Sequence, residues 1–223
     1  MVLGAKGPTS TAAAAHAAGA SALSIAHDML RTGTADAVLC PAVDDLTDTA
    51  AEAYRRLPLT GGPAGRHYGL AEGGIALVLE RESSARARGA VVLGELLGHG
   101  TAYDAAGAGR WDPRGDGLYR AMRKALADAG TRPEELTAVW ANAAGIPAVD
   151  RPEERALRRL DVRAEVLAPK RVLGEPVGAG AHLSVALAVE GRRRGGAAGP
   201  VLINSSSLGG THIALVVRPG TEF

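Results

Sequence analysis

Three observations predict an α/β fold with a mostly parallel, helix-covered sheet. From residue 91 onward, short apolar runs alternate with amphipathic stretches in the order βαβαβαββ. The first 90 residues supply helix, strand, strand, the same αββ order with which the chain closes. Two short segments also recur in order: GGIALVL at Gly73–Leu79 echoes GGTHIALVV at Gly209–Val217, and Ala20–Ser24 echoes Ala181–Val185. The chain therefore reads as one complete unit, residues 91–223, preceded by the C-terminal part of a second, residues 1–90, the two packed together.

Taken in order, Gly7–Gly19 is a small-residue run that leads into a helix with Ala22, Ile25, Ala26, Met29 and Leu30 at helical spacing, ending at Gly33. The start of such a helix presents free N–H groups and the positive end of the macrodipole, and His16 stands there. Asp36–Cys40 reads as a buried strand, 44–57 as a weak helix, Leu59–Tyr68 as a Gly/Pro-rich loop and Glu72–Glu80 as a strand. Arg81–Gly89 reads as a short exposed helix. Val91–Leu97 is a strand, Gly100–Gly115 a long loop holding Trp111, and Asp116–Ala129 an amphipathic helix closed by Gly130. Thr137–Ala141 is a strand and Arg151–Leu160 a helix with Pro152 in its first turn. Glu165–Ala168 is a short strand, and Gly178–Arg194 a helix whose basic end suits its dipole. Val201–Ser205 and His212–Val217 are the last strands.

Composition narrows the function classes. With 223 residues and 46% apolar content the chain can bury a sizeable core. A net charge of +1 and 3% aromatics supply neither an electrostatic nor a stacking surface for nucleic acid, and no apolar run is long enough to span a bilayer. The cytoplasm is the default location. Cys40, the only cysteine, excludes an internal disulfide and a multi-cysteine metal site. His27, His67, His99, His182 and His212 form no pair with metal-ligand spacing in sequence, so no metal is expected.

Several stretches together resemble the thiolase-fold β-ketoacyl synthases, including the chain-length factors of type II polyketide synthases. Gly7-Pro8-Thr9-Ser10-Thr11 is similar to the run that leads to the family's catalytic cysteine, with His16 in the cysteine position. Ala71-Glu72-Gly73 is similar to the family's Gly-Glu-Gly. Asn142–Pro147 resembles the His-Gly-Thr-Gly-Thr-Pro loop, followed by Asp150 and Glu154. Lys170–Gly180 resembles the lysine and Gly-His motif, with Glu175 in the histidine position, and Asn204–Gly210 resembles the closing Asn-Ser-Phe-Gly-Phe-Gly-Gly. The resemblance implies a thiolase-like fold in which the chain matches the latter part of a ketosynthase.

The same resemblance implies a site of His16, Asn142, Lys170 and Glu175, with Ser206, Leu208 and Gly209 at the acyl pocket and Ser206 in place of a gating phenylalanine. A condensing enzyme needs a thiolate to carry the acyl chain and donors to stabilise the enolate oxyanion. With the thiol and both histidines replaced, ordinary condensation is expected to be lost. Cys40, before Pro41 at a strand end, is no substitute. Two roles follow: a non-condensing, chain-length-factor-like subunit that completes a partner ketosynthase, or an enzyme in which His16 and Glu175 move protons in dehydration, isomerisation or cyclisation. In either, the phosphopantetheine arm of an acyl carrier protein brings the substrate and no cofactor is bound. Strands absent from the first unit leave sheet edges that call for a partner, a thiolase-fold subunit or a second copy of the chain.

Overall fold

The computed structural model describes residues 4–56, 69–105, 107 and 110–220. The predicted loop at 59–68, with His67, lies outside them. A 3₁₀ turn, Ala15–Ala17, enters α1 (Ala18–Arg31), followed by β1 (Ala37–Asp44), α2 (Asp48–Arg56), β2 (Gly73–Glu80) and α3 (Glu82–Ala87). The second unit comprises β3 (Gly94–Tyr103), α4 (Asp116–Asp128), β4 (Ala138–Trp140), α5 (Pro147–Arg159) and β5 (Glu165–Leu167). It continues through a one-turn α6 (Lys170–Leu173), a 3₁₀ turn at Val177–Ala179, α7 (Gly180–Arg193), β6 (Val201–Ser206) and β7 (Thr211–Pro219).

Four layers result. The five-stranded sheet runs β3-β7-β6-β4-β5, and β1-β2 form a separate antiparallel pair. Period-2 alternation along β7 sends Ile213, Leu215 and Val217 toward α1 and α7, while Ala214 and Val216 join Leu118, Met122 and Leu126 of α4. On the far side of α1 and α7, Val38, Cys40, Leu77 and Leu79 seat the β1-β2 pair. Residues on both sides of position 90 thus share one core.

Four expectations need correction. The sheet is mixed rather than mostly parallel: β4 pairs parallel with β5 and β6, but β7 is antiparallel to both β6 and β3. The short Ser207–Gly210 turn joining β6 to β7 makes a hairpin, which forces reversal. Second, β3 continues to Tyr103 where a loop was expected from Gly100. Its glycines are there for packing: a Cβ at Gly98 would lie 2.5 Å from Ala129 N, and one at Gly100 2.2 Å from Ala121 O, so α4 can lie directly on the strand. Third, α5 starts at Pro147, and Pro152 is a buried interior residue rather than a first-turn one. Fourth, α1 and α7 correspond one residue away from the sequence echo. Each has 14 residues and a 3₁₀ entry, so counting from the helix starts sets Ala20 opposite His182.

The helix pair fixes the site. A Cβ on Gly19 would stand 2.4 Å from Gly178 O and 2.8 Å from His182 Nδ1, so the two helix starts cross in near backbone contact. His182 Nε2 donates to Cys40 O at 3.0 Å and ties α7 to β1. Gly178 N donates to the Asp44 carboxylate at the end of β1. Beyond this, the outer face of the β1-β2 pair is apolar and open: Leu39, Val43 and Val78 are 49%, 70% and 65% exposed.

Candidate functional site

The two helix entries carry matching backbone strain. Ala15 and Val177, one at each 3₁₀ turn, have φ of 47° and 38°, a left-handed conformation that costs a residue with a Cβ and persists only where surrounding structure enforces it. His16 follows directly. It is buried at 1% exposure, its carbonyl accepts from Ser205 Oγ at 2.8 Å, and its Nε2 shares a 3.1 Å hydrogen bond with the Tyr54 hydroxyl of α2. Burial first, and the Lys170 charge second, push the His16 pKa down to about 3. The imidazole is therefore neutral at pH 7. Burial, then the charges of Glu175 and Asp44, also raise the Tyr54 pKa, which keeps its hydroxyl protonated.

Lys170, in α6, is the hub of the opposite wall. Its Nζ lies 2.8 Å from Glu175 Oε2 and donates to Asn142 Oδ1 at 2.9 Å, all three side chains being buried. Asn142 Oδ1 also accepts from Ser206 N at 3.1 Å. Glu175 is held in place through its backbone, which exchanges hydrogen bonds with Gly69 O (2.7 Å) and Ala71 N (3.0 Å). Burial raises its pKa, with Lys170 pulling the other way. Lys170 thus pairs with the Glu175 carboxylate, and its charge also acts on the His16 imidazole.

Comparison with known proteins gives the family. Residues 93–193 match the model of the β-ketoacyl synthase C-terminal domain. The ketoacyl synthase beta subunit of the tetracenomycin polyketide synthase from Streptomyces glaucescens is 38% identical over 208 residues, covering 83% of this chain and 49% of that protein. The chain belongs to the β-ketoacyl synthase family. A 3-oxoacyl-[acyl-carrier-protein] synthase 2 from Synechocystis is 33% identical over 70% of this chain and 41% of its own length. The ishigamide ketosynthase/chain length factor gives a TM-score of 0.81 at 28% identity, over 93% of this chain and 60% of that one. A type II PKS acyl-carrier protein in complex with its ketosynthase bound to the hexaketide gives 0.88 at 20% identity, over 97% and 64%. The last likeness shows the fold alone, which is the thiolase-like one of the ketosynthases. The chain spans about half the length of the curated relatives it matches.

Around this cluster, neighbouring residues complete the hydrogen-bond network. The acidic group under the Asn142 loop is Glu153, not the exposed Glu154: its Oε1 accepts from Asn142 N at 2.9 Å and Asn204 Nδ2 at 2.8 Å. Burial raises the Glu153 pKa to about 7. Asp150 accepts from Ala144 N and Gly145 N at 2.9 and 3.0 Å and pairs with Arg171 at 2.6 Å, clamping the loop. Ser206 is buried and belongs to a polar chain. With His212 neutral by burial, Ser206 Oγ donates to His212 Nδ1 (2.8 Å), whose Nε2 donates to Asp104 Oδ2 (2.7 Å). Leu208 packs with Ile146 and Val149, whereas Gly209 is exposed in the β6–β7 turn. Tyr54, Asp104 and His212 were not singled out from sequence. No local pattern marks the two contacts that matter, since Tyr54 meets His16 from 38 residues away and Asp104 meets His212 from 108.

Burial of neutral histidines predicts acid sensitivity. A histidine with a depressed pKa contributes stability that is complete above 6.5 and lost as pH falls toward its folded value, because the unfolded chain then binds the extra proton. For His16 the window is pH 6.5 to about 3, at about 1.4 kcal/mol per pH unit. His182 and His212 act in the same direction. Urea midpoints should fall steeply between pH 6.5 and 4.5, and His16→Asn should remove roughly one proton's share of that slope. An unchanged slope in the variant would show that His16 titrates normally.

Proposed function

We propose that this chain acts as a non-condensing, chain-length-factor-like subunit of a type II polyketide or fatty-acid-type system, completing a partner ketosynthase that handles carrier-bound acyl chains. The observation that carries this reading is the site itself. Where a condensing enzyme presents a thiolate, this chain presents a buried neutral imidazole, and the opposite wall is a closed Lys170–Glu175–Asn142 cluster. Cys40 cannot substitute, since burial raises its pKa to about 11 and leaves almost no thiolate at pH 7. The apolar outer face of β1-β2 supports a partner, as do relatives and a structural neighbour named as a beta subunit and as a ketosynthase/chain length factor.

The acid–base alternative has less support, because Glu175 is already paired with Lys170 and His16 loses its basicity on burial. The test is direct. Incubated with acyl- and malonyl-loaded carrier proteins, the chain should yield no β-ketoacyl product, and intact-protein mass spectrometry should find no acyl group on Cys40. An acyl adduct or a condensation product from the chain alone would overturn the proposal. In an assembled complex, His16→Ala and Glu175→Gln should leave product identity unchanged; a block at one intermediate would favour the acid–base role.

A further inference from the structure

We propose that His27, Asp28 and His99 form a binding site for a divalent transition-metal ion of the zinc class. His27 and Asp28 are consecutive in α1, and His99 lies 71 residues beyond Asp28 in β3, which hides the set from any sequence motif. The fold brings them together on α1 and β3, elements that contribute no residue to the Lys170–Glu175–Asn142 cluster. One ligand atom from each residue lies within 4.8 Å of the other two. His99 Nε2 is 3.2 Å from Asp28 Oδ1, and the His27 and His99 rings meet edge to face with centroids 5.5 Å apart.

Chemistry narrows the ion. Bonds of about 2.0–2.1 Å to imidazole and carboxylate set neighbouring ligands of a tetrahedral ion roughly 3.4 Å apart. The His99–Asp28 separation already suits that spacing, and rotation of Asp28, whose side chain is 57% exposed, can close the rest. Two imidazoles and one carboxylate favour zinc, cobalt, nickel or copper over magnesium or calcium, which take all-oxygen shells. His27 Nδ1 is buried with no hydrogen-bond partner among the described residues, an unspent polar atom at the cluster.

A brace stands behind the ligands. Asp128 Oδ2 accepts from His99 N at 3.0 Å and fixes the strand, while Oδ1 holds Arg31 at 2.8 Å and keeps that cation engaged elsewhere. Three protein ligands leave a coordination position open. Asp28 and His99 also line a cavity of about 470 Å³, with Ser24, Thr101, Tyr103 and Ile213, from which a water or a ligand atom can reach that position.

The test uses the full chain, stripped with a chelator and titrated with Co²⁺ followed by visible absorption, then with Zn²⁺ by calorimetry. One equivalent should bind, and His27→Gln or His99→Gln should each weaken Zn²⁺ binding at least tenfold with the thermal transition retained. No stoichiometric binding, or binding unaffected by both substitutions, overturns the site. Zinc-edge X-ray absorption on the unsubstituted, Zn²⁺-loaded chain gives a reading independent of how the variants fold. Two imidazole ligands are expected, and a shell with one or none overturns the proposal.

Discussion

Lys170→Met should destabilise the chain by about 3–5 kcal/mol, the usual cost of stranding a buried charge by removing its partner. Lys170 Nζ is the cation that Glu175 and Asn142 share, and both acidic and amide side chains are at or below 2% exposure. Glu175 then has one escape, which is to take up a proton. Its pKa, already raised by burial, rises further once the lysine is gone. The sign of the pH dependence follows. A raised carboxyl contributes stability below its unfolded pKa and loses it as pH climbs toward the folded value, so the variant should be least damaged near pH 4.5 and lose about 1.4 kcal/mol per unit above it. Lys170→Met combined with Glu175→Leu should recover most of the loss, because apolar replacement of an entire buried pair is often neutral. Denaturant midpoints of the single and double variants at pH 5 and 7 check this. A double variant no more stable than Lys170→Met would show that packing, not charge, sets the cost.

Gly19→Ala and Gly191→Ala should act in opposite directions, although both put a methyl group on a helix. At Gly19 the new Cβ would lie 2.4 Å from the Gly178 carbonyl oxygen, a backbone atom that cannot swing aside. The helices must part, at about 1–3 kcal/mol, and the strained turn carrying His16 shifts with them. At Gly191, on the exposed side of α7, nothing lies within 4 Å of the added Cβ. That substitution should stabilise by about 0.5–1 kcal/mol through the reduced freedom of the unfolded chain. Thermal unfolding of the two variants reads out both effects. Equal shifts would mean that the close crossing of α1 and α7 is not sustained in solution.

Much of the architecture was legible because it rests on local periodicity. The amphipathic repeats of α1 and α4, the small residues and basic end of α7, and the apolar runs of β1, β2, β6 and β7 each lie within one element. What sequence misplaced depends on contacts between elements. Gly100 reads as the start of a loop, yet it and Gly98 lie in β3, where the missing side chains let α4 pack on the strand. Pro152 reads as a helix start, but α5 begins earlier, at Pro147. Resemblance points to His16, Asn142, Lys170 and Glu175 as a site; the structure sets Asn142 and Glu175 against Lys170, whose charge also reaches His16, and a functional role for the four remains a proposal. Ser206 was placed at an acyl pocket, while its hydroxyl serves the buried His212–Asp104 chain. Glu153 and Glu154 are adjacent acids on one helix, and only burial distinguishes the one that braces Asn142.

The outer face of β1-β2 joins structure to proposed role. Leu39, Pro41 and Val43 of β1 lie opposite Val78, Ala76 and Gly74 of β2, so this exposed face carries no charge along its length until Glu80. A face of this kind is a docking surface or an aggregation hazard, and a partner subunit resolves both. Native mass spectrometry of the chain co-expressed with a ketosynthase that retains its cysteine, coupled to analysis of the polyketide formed, tests this most directly. A one-to-one complex should appear, with product only when both chains are present and with unchanged product when His16 is replaced by Ala. A stable monomer that forms β-ketoacyl product by itself would contradict the proposed role.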